Sequence, residues 1–257
     1  MHSQLRADNE VRCIWQPAEP FQRIISLSDD FYSKRLGRDY NCAQVGVVAN
    51  KTKRAEPQRA PWCELVAIGA SAGGLSALTA LLGDLIPEFP PIAVVQHLYP
   101  SHKSQLALVL ARKTRKRVKE AEHGESIIRG TIYIGPPDEH LLVGQGKIQL
   151  AHSRLIRFSR PSIDMMLGSV AAIYGENAIG VILSGSNQDG ADGIAAIRAA
   201  GGITIAQDPA TAEFRIMPQA AIDTGCVDMV VPLNQMGSVL SRLFVEGKTR
   251  KWPEMFR

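Results

Sequence analysis

The sequence predicts an α/β fold: a doubly wound, mostly parallel sheet with helices on both faces and an antiparallel hairpin. Three observations carry this. From Cys63 onward, short apolar runs alternate with helix-period segments, the pattern of successive βαβ units. Leu65–Ile68, Ile92–Gln96 and Ala178–Leu183 are nearly continuous apolar runs, as strands buried on both faces must be. Gly144-Gln145-Gly146-Lys147 separates Leu141–Val143 from Ile148–Ala151, which marks the hairpin.

The elements follow in order. Leu75, Leu78 and Leu82 share one helical face after the first strand. Ser104–Lys113 is helical, Arg117–Ala121 and Thr131–Ile134 are strands, and the hairpin comes next. Pro161 suits a helix start, and Ser162–Tyr174 carries Ile163, Met166, Leu167, Val170 and Ile173. After Ala178–Leu183 and the loop Ser184–Gly190, a helix over Ala191–Ala200 stops at Gly201-Gly202. Ile203–Ala206 is a strand, Pro218 opens a short helix that Gly225 closes, Val227–Val231 is a strand, and Leu233–Phe244 is the last helix. Residues 1–61 are different. Their hydrophobic residues are scattered, with weak strand candidates at Ile24–Leu27 and Val45–Ala49, and they end in the polar run Lys51–Pro61. They are read as a disordered or loosely docked extension, 62–246 as the folded domain, and 247–257 as a tail.

The 257 residues, 45% of them hydrophobic, suffice for one sizeable core. A net charge of +4 is too small to argue for nucleic acid and is compatible with an acidic protein partner. The N-terminus has no apolar signal core, and no apolar stretch is long enough to cross a bilayer, so a cytoplasmic protein without membrane insertion is expected. Four cysteines (Cys13, Cys42, Cys63 and Cys226) show no CxxC spacing and are read as reduced thiols. Neither a HExxH pattern nor a carboxylate cluster suggests a metal, and no cofactor is expected.

Ligands of such sheets bind beyond the carboxyl ends of the strands. Ser71 follows Leu65–Ile68 in Ile68-Gly69-Ala70-Ser71-Ala72-Gly73-Gly74; His97 follows Ile92–Gln96; Asp189 lies in the loop after Ala178–Leu183. A serine hydroxyl needs a base, an imidazole can serve as one, and a carboxylate can orient that imidazole. Taken singly, Ser71 also suits a plain glycine turn, His97 a structural histidine, and Asp189 a turn residue or helix cap; co-occurrence at three strand ends favours chemistry. A dinucleotide loop would need glycine where Ser71 stands and an acid where Gln96-His97 stand, and no P-loop lysine follows. The order Ser, His, Asp also differs from the usual α/β-hydrolase order. His102 and His123 lie in polar runs, and His140 and His152 flank the hairpin, away from these three. The basic run Arg112–Lys119 reads as a solvated helix end and loop, with an electrostatic dock for an acidic helix as the functional alternative.

From Leu65 to Phe244 the sequence resembles the CheB-type protein-glutamate methylesterases of bacterial chemotaxis. The resemblance rests on Ile68–Gly74, Val94-Val95-Gln96-His97, Ile134–His140, Arg160-Pro161-Ser162-Ile163-Asp164, Gln188-Asp189-Gly190-Ala191, Gly201–Asp208 and Met217-Pro218, in that order. It implies a Ser71-His97-Asp189 triad, with backbone N–H groups at Ala72 and Ser186 forming the oxyanion hole. It further implies hydrolysis of glutamate γ-methyl esters in a methylated chemoreceptor-like protein, with glutamine deamidation as a side activity. A cognate receptor methyltransferase and a separate response regulator are the partners it suggests.

Three departures stand out. Where the family has Thr-Gly-Met-Gly, this chain has Ser184-Gly185-Ser186-Asn187, and Ala72 replaces a common threonine. The third is size: family members often carry a receiver domain whose phosphorylation opens the site, and 61 residues are too few for a domain of about 100–150. A standalone domain without phosphorylation gating in cis is therefore expected. The altered loop keeps a second expectation alive, a weak or inactive CheB-like binding or regulatory module of a signalling array.

Overall fold

The computed structural model describes residues 62–98 and 104–246. Seven strands form one parallel sheet: β1 (Leu65–Ala70), β2 (Ile92–Gln96), β3 (Arg117–Glu120), β4 (Thr131–Ile134), β7 (Ala178–Ile182), β8 (Ile203–Gln207) and β9 (Met229–Val231), in the order β3-β4-β2-β1-β7-β8-β9. The hairpin strands β5 (His140–Val143) and β6 (Ile148–Ala151) pair antiparallel as a separate sheet. The weak strand candidates at Ile24–Leu27 and Val45–Ala49 lie outside the described residues.

Alternation along the strands sets the layers. Successive strand side chains point to opposite faces. Val66, Ile68, Ile92, Val94, Ile132 and Ile134 face α1 (Gly74–Gly83), α2 (Leu106–Thr114) and α6 (Leu233–Glu246), whose Leu78, Leu110 and Leu240 join the same core. Leu65, Ala67, Ala93, Val95 and Tyr133 face the other way. There they meet the hairpin's Leu141 and Ile148 and helices α3 (Ile163–Tyr174), α4 (Ala191–Ala199) and α5 (Ile216–Asp223). The doubly wound α/β expectation is met, and no described helix is long and apolar enough to cross a membrane.

Most expected boundaries fall within two residues of the observed ones. Two differences have physical causes. Helix α5 starts at Ile216, so Pro218 is its third residue rather than its first; a helix's first N–H groups have no intrahelical acceptor, and proline loses nothing there. Strand β9 starts at Met229 rather than Val227, because the Asp228 carboxylate takes the Thr204 N–H at 3.0 Å in place of a ladder partner. Cys63 is a reduced, buried thiol as expected, whereas the expectation of a reduced thiol is corrected at Cys226, which is disulfide-bonded.

The topology also locates the basic run. Arg117 opens β3 in register with Thr131, at the amino-terminal edge of the parallel sheet, whereas Ser71, His97 and Asp189 leave the carboxyl-terminal edge. Lys116 Nζ donates to the Leu85 carbonyl at 2.6 Å, and Lys119 pairs with Glu122 and Glu125. A dock there would not present its partner to Ser71.

Gly69 in β1 brings the sheet against α3: a Cβ at this position would lie 2.3 Å from Ile163 Cγ2. That atom sits on a branched carbon and cannot swing clear. Gly69→Ala is expected to lower stability by about 1–3 kcal/mol. Urea denaturation should show a smaller loss when the same change is made in an Ile163→Ala background.

Candidate active site

Ser71 sits where β1 turns into α1. The turn needs Gly73, whose φ is +73°, and Gly74, where a Cβ would lie 1.9 Å from Gln96 Oε1. Two bonds hold the turn in place: the Ser71 N–H donates to the Ser184 carbonyl at 3.0 Å, and Gln96 Nε2 donates to the Ser71 carbonyl at 2.7 Å. Ser184 ties the neighbouring loop to the turn, its Oγ donating to the Ala72 carbonyl at 2.8 Å and accepting the Phe214 N–H at 2.9 Å. One strand over, the His97 N–H donates to the Ala70 carbonyl at 3.1 Å, which sets the ring beside the serine.

The three residues singled out at the strand ends meet. His97 Nδ1 lies 3.1 Å from Ser71 Oγ, and His97 Nε2 lies 2.8 Å from Asp189 Oδ2. A carboxylate only accepts, so Nε2 carries the ring proton and Nδ1 offers its lone pair to Ser71. Ser71 and the ring are partly exposed, while Asp189 is wholly buried. Ser186 is exposed and Ala72 half-exposed beside them, and among the described residues neither N–H has a protein acceptor.

A buried carboxylate must be neutralised by its surroundings, and here the start of α3 does it. Asp189 Oδ1 accepts the Ser162 hydroxyl and the Asp164 N–H, each at 3.0 Å, and Oδ2 accepts the Ile163 N–H at 2.7 Å. Burial alone would push the Asp189 carboxyl up. The His97 hydrogen bond and the backbone N–H groups of Asp164 and Ile163 outweigh it and hold the group below the usual carboxylate range.

Two further residues belong to this network, and the sequence reading did not find them. His140, placed away from the site on the hairpin, is fully buried beneath it. Its Nδ1 accepts the Ser162 N–H at 3.1 Å and its Nε2 donates to the Arg154 carbonyl at 3.0 Å; burial chiefly drives its pKa down, so it is a neutral orienting group. Asp164 is the second. Its Oδ1 accepts the Gly190 and Gly193 N–H groups, both at 2.8 Å, and Arg157 Nε reaches Oδ2 at 3.2 Å. The available signal was Arg160–Asp164: a proline and a serine at a helix start, with an acid in the first turn. Beyond Gln188 a cleft of about 750 Å³ is lined by Arg157, Asp192, Arg215 and Gln219; it adjoins the Asp189 loop and excludes the reacting atoms. No cluster of metal-ligating side chains exists among the described residues.

Burial and the adjacent Asp189 charge push the Asp164 carboxyl up to about 8. The folded protein therefore keeps a proton here that the unfolded chain releases near pH 4, and stability falls as pH rises between these values. Asp164→Asn keeps an acceptor for Gly190 and Gly193 without the titration. Chemical denaturation at pH 5 and pH 8 should show wild type losing more stability over this interval than the variant.

The comparisons with known proteins bear on the family and the fold. The model of the CheB methylesterase family matches residues 66–240. A protein-glutamate methylesterase/protein-glutamine glutaminase of Anaeromyxobacter dehalogenans is 42% identical over 190 residues, which cover 74% of this chain and 56% of that protein. The protein-glutamate methylesterase FrzG of Myxococcus xanthus is 41% identical over 206 residues, covering 77% of this chain and 62% of that protein. The chain thus spans under two thirds of these relatives' length. The crystal structure of the Thermotoga maritima CheB methylesterase catalytic domain superposes with a TM-score of 0.68 at 35% identity, covering 70% of this chain and 98% of that one. The family match extends from the first strand to the last helix and takes in all three strand ends that carry Ser71, His97 and Asp189, so the chain belongs to the CheB methylesterase family.

Proposed function

We propose that this chain is a serine hydrolase that removes methyl groups from glutamate γ-methyl esters of a chemoreceptor-like protein. The observation that carries this is the line of contacts from Ser71 Oγ to His97 Nδ1 and from His97 Nε2 to Asp189 Oδ2. The names of the relatives support the substrate class.

Ser71 Oγ attacks the ester carbonyl while its proton passes to His97 Nδ1. The resulting imidazolium is stabilised through Nε2–H by ionised Asp189. The Ala72 and Ser186 N–H groups are the oxyanion donors in this reading, each worth about 2.7–4 kcal/mol in such sites. As the C–OCH3 bond breaks, Nδ1–H protonates the departing methoxide, which leaves as methanol. Water, deprotonated by the same nitrogen, attacks the acyl-enzyme to release glutamate and free Ser71. A glutamine side chain enters the same route with ammonia as the leaving group.

A second reading, a weak or inactive binding module, draws on Asn187, whose amide lies 3.2 Å from His97 Nδ1. A receptor methyltransferase and a separate response regulator remain proposed partners. A cytoplasmic location is likewise a proposal.

Methanol release from a methylated receptor decides between the two readings. Wild type should release it, and Ser71→Ala should lose at least about 10³-fold in rate while melting at the same temperature. Equal release by both proteins would overturn the hydrolase reading; peptide binding without release by either would favour the binding module.

A further inference from the structure

Asn187 occupies an unusual position for a loop residue. Its Oδ1 accepts the Asp189 N–H at 3.1 Å, which fixes which end of the amide faces the ring. The other end, Nδ2, lies 3.2 Å from His97 Nδ1, and Ser71 Oγ lies 3.1 Å from that same nitrogen. A neutral imidazole whose proton is on Nε2 has a single in-plane lone pair at Nδ1. Two donors, an N–H of Asn187 and the O–H of Ser71, are therefore aimed at one acceptor site.

We propose that Asn187 is a positioning residue that restrains His97 as a base by competing with Ser71 for Nδ1. This rests on the serine-hydrolase reading above. In the resting state the Asn187 amide stabilises the free lone pair that must accept the serine proton. Once the proton has moved from Ser71 Oγ to Nδ1, that nitrogen is itself a donor. Its N–H then faces the Asn187 N–H₂, which cannot turn its oxygen inward without giving up the Asp189 N–H. The contact thus favours neutral His97 over the imidazolium, opposite in sense to Asp189 at Nε2. The other ionisable groups of the site are common to wild type and variants: Asp164 and His140 interact with Asp189, and Glu213 lies against Gly73 beside the Ser71 turn.

Two variants separate the donor from the turn. Asn187→Gly removes both the amide and the acceptor for the Asp189 N–H. Asn187→Ser removes the donor that reaches His97 but keeps a short-side-chain acceptor for that N–H. The primary readout needs no turnover: ¹⁵N-histidine NMR in a Ser71→Ala background, following His97 through its titration. Both variants should raise the His97 midpoint by about half a unit to one unit, the range expected for losing one hydrogen bond to the neutral form. In proteins with Ser71 present, the acidic limb of the kcat/KM profile for methanol release should also move to higher pH, by a smaller amount because the Ser71 O–H takes the vacated lone pair. The rate on the plateau above it should rise several-fold. An unmoved midpoint in both folded variants would overturn the proposal. So would a shift in Asn187→Gly alone, which would assign Asn187 only the turn. If wild type releases no Ser71-dependent methanol, the hydrolase reading fails on its own, and the His97 midpoints still decide whether Asn187 restrains the ring.

Discussion

Asp189 has no contact with water, yet its carboxylate is ionised. Removing such a charge from solvent costs several kcal/mol unless its oxygens are fully satisfied. They are, by four donors: the Ser162 hydroxyl, the Ile163 and Asp164 N–H groups, and His97. Three of the four come from the first turn of α3, so the aspartate behaves as an anion bound at a helix N-terminus. That requirement reaches outward. The helix start must sit against β1, which explains why β1 carries Gly69 under Ile163. Ser162 must be held in turn, which explains a fully buried histidine, His140, on the hairpin. The loop after β7 must be locked to the same helix, which Asp164 does through the Gly190 and Gly193 N–H groups.

The sheet topology makes the meeting of the three residues possible. The chain builds outward from β1 through β2 on one side and returns to β1's other edge with β7. The loops after β1, β2 and β7 therefore open into one crevice, the switch point where doubly wound sheets place their ligands. Ser71, His97 and Asp189 are far apart in sequence, and this strand order alone brings their loops together. The final ångström comes from local bonds, chiefly Gln96 under the nucleophile turn and Ser184 beside it.

How much of this could be read from the sequence depends on the range of the interaction. Strand alternation and helix faces are local, so the α/β class, the hairpin and nearly every element were readable. The strand-end rule converted that into the three residues that meet. His140 and Asp164 escaped because their roles depend on burial and on partners 22 or more residues away, Ser162 for one and Gly190 for the other. A histidine opening a hairpin strand looks the same in sequence whether it faces solvent or a helix cap. The amide of Asn187 was visible only as a departure from the family pattern; its contact with His97 required the ring's position.

The division of labour within the site follows from these ranges. The nucleophile turn and the helix cap are constrained from several sides, by glycines with no room for a Cβ and by donors committed to a buried charge. A change there disturbs the fold before it tunes the chemistry. The segment Ser184–Asn187 is constrained differently. Its first residue bonds both neighbouring loops and its second packs on Met217, but Ser186 is exposed and Asn187 half-buried. Side chains at these last two positions can vary at little cost to the core, while the Asn187 amide reaches the His97 ring. On the proposal made above, a fold of this kind adjusts the strength of its base through one loop residue, without touching Ser71, His97 or Asp189.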